Sequence, residues 1–250
     1  MLTVVDFRDQ DSGPVGDKGE GLRELAVSEL RVPPTVVLQS GWEVGRSEAD
    51  QVLKALAVDS LSSLIIRPSM FVDRRDSSEV SGFFESRRVD GSLSATVDAM
   101  RLEYAREGAL LHPGHPMAGR PTGYCLLVQE YILPAMSGVC HVKPNPGMSP
   151  AIEVGVTEGH LSALLAGRTS PDCSFEIELL DRIEDSTDWI MIGTEDDMTW
   201  LRKRQVLPDL IRMLGNDMAK LSGAISEARE IEWLWADDGP IYVQCQPLIT

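Results

Sequence analysis

The sequence is poor in positive charge, and that shortage limits its partners. Across 250 residues, Lys and Arg number 23 against 39 Asp and Glu, a formal net charge of -16. A chain this acidic repels nucleic acid and anionic membrane on average, so a bulk electrostatic role on either is excluded. Long apolar runs are missing as well. Stretches such as Cys125-Leu126-Leu127-Val128 are cut off within a few residues by Gln or Glu, far short of the roughly 20 residues needed to span a bilayer. The opening Met1-Leu2-Thr3-Val4-Val5-Asp6 has no basic segment leading into an apolar stretch and a cleavage site, so a soluble, cytoplasmic protein is expected.

No Cys-x-x-Cys pair occurs. Cys125, Cys140, Cys173 and Cys245 are widely spaced, and at least two lie in apolar strand-like runs where a thiol serves as a small hydrophobe. His112 and His115, in His-Pro-Gly-His-Pro, have the spacing of a short metal-ligand pair. The prolines and glycine mark a turn, and no neighbouring Cys, Asp or His completes a zinc site. Internal repeats and long low-complexity tracts are also absent. What remains is a chain with 43% apolar residues, enough for one large domain or two closely packed lobes.

Periodicity divides the chain into alternating strand and helix signals. Residues 9–21, rich in Gly, Asp and Pro, read as a glycine-rich loop feeding a helix at Leu22. A short β-branched strand is predicted over 35–39 and a helix over 47–58 capped by Ser47. Leu64-Ile65-Ile66 reads as a buried strand ending at Arg67-Pro68-Ser69, and 92–111 as a surface helix. From Tyr124 onward, strands predicted at 125–131, 139–142, 151–156, 175–180 and 189–192 form an antiparallel-sheet pattern. A long amphipathic helix carrying Leu207, Leu210, Ile211, Leu214, Leu221 and Ile225 follows, and a strand over 241–245 closes the chain. The sum is α+β with two lobes, divided as 1–120 and 121–250.

Three features could carry chemistry. Lys18 sits in Gly16-Asp17-Lys18-Gly19-Glu20-Gly21, where glycines let backbone N–H groups approach a phosphate and the lysine adds a point charge. The Walker A spacing is absent, and a solvated lysine in a turn is the alternative reading. Arg67, at a strand end, could grip a phosphate with its guanidinium or form a structural ion pair. Glu232, between Ile231 and Trp233, is costly to bury without a cation or donor, and Mg²⁺ on nucleotide phosphates or a buried ion pair would each satisfy it.

Taken in order, these features resemble the N-terminal nucleotide-binding domain of the phosphoenolpyruvate synthase and pyruvate phosphate dikinase family, an ATP-grasp fold also found in rifampin phosphotransferases. The resemblance covers most of the chain. Gly16-Asp17-Lys18-Gly19-Glu20-Gly21-Leu22-Arg23-Glu24-Leu25 and Val32-Pro33-Pro34-Thr35-Val36-Val37 are similar to the family's lysine loop, helix and Val-Pro-Pro-Gly-Phe strand. Ile66-Arg67-Pro68-Ser69 resembles its Val-Arg-Ser-Ser, with Asp73, Gly82 and Glu85 following in register. Leu127-Val128-Gln129-Glu130-Tyr131 resembles its Val-Gln-x-Met adenine segment, and Ser137-Gly138-Val139 a strand start. Gly167 to Asp172 resembles its Gly-x-x-x-Pro-Asp turn. Glu230-Ile231-Glu232-Trp233 and Tyr242-Val243-Gln244-Cys245-Gln246-Pro247-Leu248-Ile249-Thr250 resemble its closing Asp-Ile-Glu-Trp and Leu-Gln-x-Arg-Pro-x-Thr.

By resemblance, Lys18 and Arg67 hold ATP phosphates, Gln129, Glu130 and Tyr131 frame the adenine, and Glu232 with Gln244 binds Mg²⁺ and phosphate. The fold implied is a two-lobed ATP-grasp with mostly antiparallel sheets. The departures fall close to this chemistry. Gln246 stands at the family's arginine, a position expected to be catalytic, and a neutral amide does not neutralise developing phosphoryl charge. Arg74 replaces an aspartate, Pro68 a serine and Ser162 a glutamate, while the insertion before the arginine strand shrinks to about residues 41–63. The resemblance ends where large members continue into a phosphohistidine domain and a pyruvate-binding barrel. The expected function is therefore an ATP- and Mg²⁺-dependent phosphotransferase or ligase module, kinase- or dikinase-like, acting on a small molecule or on a histidine of a separate partner. A nucleotide-binding but catalytically silent regulatory or assembly subunit is the alternative, and a pure interaction domain a third.

Overall fold

A computed structural model of the chain describes residues 2–9, 13–39, 43–71, 85–110, 123–145, 150–161, 169–183, 186–203, 207–236 and 238–248. His112, His115, Asp73, Arg74, Gly82, Ser162, Gly167 and Arg168 lie outside these residues. The chain divides into two units, the first of residues 1–23 and 33–131, the second of residues 24–32 and 132–250.

Unit 1 is built on a five-stranded sheet in the order β1-β2-β5-β3-β4. Its strands are β1 (Leu2–Val5), β2 (Thr35–Gln39), β3 (Leu64–Met70), β4 (Arg87–Arg88) and β5 (Tyr124–Glu130), every neighbouring pair antiparallel. Strand alternation sorts the side chains into two faces. Val36, Leu38, Ile66, Leu126 and Val128 share one apolar cluster with Val52 and Leu56 of α2 (Arg46–Leu56) and Leu93, Val97 and Met100 of α3 (Leu93–Leu110). The opposite face carries Thr35, Arg67, Ser69 and Gln129, all buried.

Three local expectations are corrected in this unit. Helix α1 (Gly16–Val27) begins six residues before Leu22, inside the stretch read as a loop. Its start is fastened to β3: Gly19 N donates to Ser69 Oγ at 3.2 Å, Ser69 Oγ donates to Val15 O at 2.7 Å, and Met70 N donates to Asp17 Oδ1 at 2.7 Å. Gly16 has φ +71, and a Cβ there would lie 2.5 Å from Ser69 Oγ, so glycine is required by both conformation and space. In α2 the cap is Gly45, not Ser47, with Gly45 N donating to Glu48 Oε2 at 3.1 Å. Finally, β3 does not end at Arg67-Pro68-Ser69 but runs through them to Met70. Among the described residues β4 pairs with β3 only at Ile65 and Ile66, so Pro68 meets no described strand on that side, a position a proline tolerates.

Unit 2 is a six-stranded antiparallel sheet in the order β11-β10-β6-β7-β8-β9. The strands are β6 (Met136–Lys143), β7 (Ala151–Glu158), β8 (Cys173–Ile183), β9 (Ser186–Gly193), β10 (Arg229–Ala236) and β11 (Gly239–Pro247). Helix α4 (Glu195–Lys203) precedes α5 (Leu207–Ala224), whose stripe of Leu210, Leu214, Met218 and Leu221 is fully buried. Tyr242 Oη donates to Asp217 of α5 at 2.8 Å and Trp189 Nε1 to Asn216 at 2.7 Å, so the buried tyrosine and the half-buried tryptophan keep their polar atoms paired. Gly138 is held to glycine by crowding, since a Cβ would lie 2.3 Å from Gly155 O and 2.5 Å from Trp233. Residues 24–32 join this unit through Glu24, whose carboxylate meets the Arg229 guanidinium at 3.1 and 3.2 Å.

The division expected at residue 121 therefore moves. Strand β5 pairs with β2 along Thr35–Gln39 and with β3 along Leu64–Met70, which keeps Gln129, Glu130 and Tyr131 in unit 1. All four cysteines are buried and unbridged. Burial pushes the Cys125 thiol up to about 12 and the Cys140 thiol higher still, so neither ionises at neutral pH.

Candidate functional site

The sequence-derived residues fall into two groups, one in each unit. In unit 1, Lys18 is in the first turn of α1, half-buried, rather than in a loop. Arg67 lies mid-strand on β3 opposite Leu127, 9% exposed, on the sheet face that also bears Ser69. Gln129 is buried on the same face, where its Nε2 donates to Thr35 Oγ1 at 2.9 Å across the β2–β5 pair. Glu130, the last residue of β5, is exposed. Tyr131 follows it, with its N donating to Ser63 O at 2.7 Å and the Arg88 guanidinium 4.6 Å from its ring centre. The α1 start, with its backbone N–H groups and a lysine one residue on from Asp17, has the donor chemistry of an anion site.

In unit 2, Glu232 and Gln244 are direct partners on β10 and β11, 5% and 6% exposed. Glu230 and Gln246 are the next same-face pair on those strands. Across β10, Glu230 faces His141 of β6, and His141 faces Glu153 of β7. A hydrogen-bonded series crosses the sheet here. Gln244 Nε2 donates to Gln246 Oε1 at 2.8 Å, and Gln246 Nε2 to Glu230 Oε1 at 2.6 Å. His141 Nε2 is 3.1 Å from Glu230 Oε2, and Lys143 Nζ donates to Glu153 Oε1 at 2.8 Å. The bond to Glu230 raises the His141 pKa, and the same bond lowers that of Glu230. The Lys143 ammonium chiefly lowers that of Glu153. Val139, His141, Glu153, Phe175, Glu176 and Glu230 are among the residues lining a groove of about 630 Å³ on this unit.

His141, Glu153 and Glu230 were not singled out from the sequence. The signal was the period-two alternation in Glu230-Ile231-Glu232, His141-Val142-Lys143 and Gln244-Cys245-Gln246, which puts every polar member on one sheet face. No protein-family model matches the chain, and no curated protein sequence matches it. Solved structures do. Acetyl-coenzyme A synthetase 1 of Ca. Korarchaeum cryptofilum, in complex with coenzyme A, Ca-AMPCP and HgCl+, superposes with a TM-score of 0.51 at 11% identity, covering 93% of this chain and 92% of that one. The fold is an ATP-grasp fold. D-alanine–D-alanine ligase from Bacillus anthracis complexed with ATP has a TM-score of 0.44 at 10% identity over 95% of this chain. N5-carboxyaminoimidazole synthase from Aspergillus clavatus, in complex with ADP and 5-aminoimidazole ribonucleotide, has 0.47 at 12% over 94%. The chain spans 57% of that ligase and 45% of that synthase.

Whether an ATP-grasp chain with these residues suits Mg²⁺ is decided by its donors. Among the described residues no cluster of three or more His, Cys, Asp or Glu could cage a metal. Glu232 and Gln244 supply one carboxylate and one amide carbonyl side by side. That pair is too small for an all-protein cage but fits Mg²⁺, which is typically held by one or two carboxylates with phosphates and water completing its shell. Among the described residues no helix is long and apolar enough to cross a membrane.

Proposed function

We propose that the chain is an ATP- and Mg²⁺-dependent phosphotransferase or ligase module. The observation that carries this reading is the placement of Glu232 directly opposite Gln244, both buried, in the sheet of an ATP-grasp fold. A buried carboxylate paired with an amide places two oxygen-bearing side chains at neighbouring positions, the donor chemistry that Mg²⁺ takes. In unit 2, Glu232 and Gln244 would hold Mg²⁺. When bound, the ion would neutralise phosphate charge and orient the transferred phosphoryl group. In unit 1, Lys18 and Arg67 would hold phosphate oxygens, with the N–H groups at the α1 start alongside them. Gln129, Glu130 and Tyr131 would frame the adenine, with the strand backbone and the Tyr131 ring as the contacting parts, because the Gln129 amide is spent on Thr35. The acceptor is a small molecule or a histidine on a separate protein, as the resemblance to the phosphoenolpyruvate synthase family implies.

A second reading, a nucleotide-binding but silent subunit, is favoured by one observation: Gln246 donates to Glu230, so the position of the family's arginine carries an amide locked onto a carboxylate. Thermal melting with ATP and Mg²⁺ tests both. A ligand at 100 times its Kd that binds only the folded state stabilises by about 2.7 kcal/mol, and that shift should vanish in Lys18→Ala and Glu232→Ala. Binding without ATP turnover, with turnover appearing in Gln246→Arg, would favour the silent subunit. No shift in the wild type would sink both readings.

A further inference from the structure

The series Gln244–Gln246–Glu230 has a direction. Glu230 is acceptor-only when ionised, so Gln246 must turn its amide nitrogen toward Glu230 Oε1, as it does at 2.6 Å. That turns Gln246 Oε1 the other way, where it takes the amide nitrogen of Gln244 at 2.8 Å. With its nitrogen aimed at Gln246, Gln244 presents its carbonyl oxygen on the opposite side of the amide. Gln244 is the direct strand partner of Glu232. His141 Nε2, 3.1 Å from the second oxygen of Glu230, fixes the carboxylate at the other end of the series. None of this follows from the pairing register alone, which would equally allow both amides to be reversed.

We propose that Glu230 and Gln246 are positioning residues that set the polarity of Gln244, making it an oxygen ligand for a hard cation beside Glu232 instead of an N–H donor. This rests on the reading of Glu232 and Gln244 as the Mg²⁺ pair. Reversing the Gln244 amide would aim two partly positive hydrogens where the oxygen stood, an arrangement suited to an anion and hostile to Mg²⁺. Glu230 acts at a distance, through two amides, and Gln246 thereby gains a role at a position where the resembling family has an arginine.

The test is calorimetric titration of Mg²⁺ into the full chain saturated with ADP, accompanied by NMR of the glutamine side-chain amides in the metal-free protein. Glu230→Ala and Gln246→Leu should each weaken Mg²⁺ binding by about 10- to 100-fold, the loss usual for residues that orient a metal ligand, while ADP affinity without metal stays at the wild-type value. The Gln244 side-chain amide protons should shift and exchange faster in both variants. The exchanged pair Glu230→Gln/Gln246→Glu keeps the net charge and restores the polarity. A carboxylate at 246 would accept from both neighbouring amides, so Mg²⁺ binding should return to the wild-type level or above. That rescue separates polarity from a general loss of packing, and it stands if a single variant fails to fold. Wild-type Mg²⁺ affinity in Glu230→Ala and Gln246→Leu, or no rescue in the exchanged pair, would overturn the proposal and leave the Mg²⁺ pair intact. A wild type that takes up ADP but no Mg²⁺ would overturn the Mg²⁺ pair itself, and with it this proposal.

Discussion

Each unit has one sheet face on which buried polar residues gather, and the two faces are used differently. In unit 1 two of the polar groups serve the fold: Ser69 ties down α1, and Gln129 donates to Thr35. In unit 2 the polar face carries a series of amides, a carboxylate and an imidazole, of which Glu230 and His141 line a groove of about 630 Å³. Polar residues on a sheet thus mark a site only when their hydrogen bonds run along the face toward ligand-bearing atoms rather than into a neighbouring element. Substitutions of Ser69 and Gln129 should register as lost stability, and substitutions of Glu232 and Gln244 as lost ligand binding.

The largest effect should come from a residue on the other face of the unit 2 sheet. Arg229 is 4% exposed at its side chain and pairs with Glu24, 15% exposed. Arg229→Ala leaves a largely buried carboxylate without its cation, a change that costs about 3–5 kcal/mol, and urea denaturation should show it. Replacing both partners with apolar residues should recover most of the loss, because desolvating the pair already offsets much of its attraction. A small loss in Arg229→Ala would mean that Glu24 reaches water and that residues 24–32 are held chiefly by other contacts, such as the bond from Tyr242 N to Arg31 O.

Next comes the anchor of α1. Ser69→Ala removes the acceptor for Gly19 N and the donor to Val15 O, both buried, and should cost about 1–3 kcal/mol. Gln244→Ala, by contrast, removes a bond to a neighbouring amide and should cost less stability than Ser69→Ala while abolishing the Mg²⁺-dependent part of nucleotide binding. Measuring melting temperature and Mg²⁺ binding in both variants sharpens the contrast between the faces. If Gln244→Ala lost more stability than Ser69→Ala, the unit 2 series would be structural and the distinction would collapse.

Much of this was legible in the sequence, and the parts that were not share a cause. Short β-branched or apolar runs located β2 and β5, polar–apolar alternation located β7 and β11, and the stripe from Leu210 to Leu221 located α5, since burial writes its pattern into the chain. Glu232 and Gln244 were legible as a pair only by resemblance, and their register supplied the contact. The start of α1 was missed because its stabilising partners, Ser69 and Met70, are about 50 residues away in the chain; glycine and aspartate there look locally like a turn. The same applies to Pro68, whose place in a strand comes from pairing with Leu126 of β5, far along the chain. His141 and Glu230 were overlooked because a single polar residue between apolar ones reads as a solvated strand face until its cross-strand partner is known.

The smallest effect expected is the pH response of that last pair. The pKa of His141 is raised, first by its bond to Glu230, and that of Glu230 is lowered by the same bond. A raised histidine pKa contributes stability that is fully present below the ordinary value of 6.5 and disappears as pH rises through the higher folded value. A lowered carboxylate pKa contributes stability present above the ordinary 4.5 and lost as pH falls through the lower folded value. The wild type should therefore exceed His141→Gln in melting temperature mainly between those limits, and the difference should shrink on either side. Because the two side chains are 34% and 24% exposed, solvent screens the pair and the gain should be about 1 kcal/mol or less. A pH-independent difference would show that His141 serves the unit 2 face by packing alone, and the end of the series at Glu230 would then be fixed without an imidazolium.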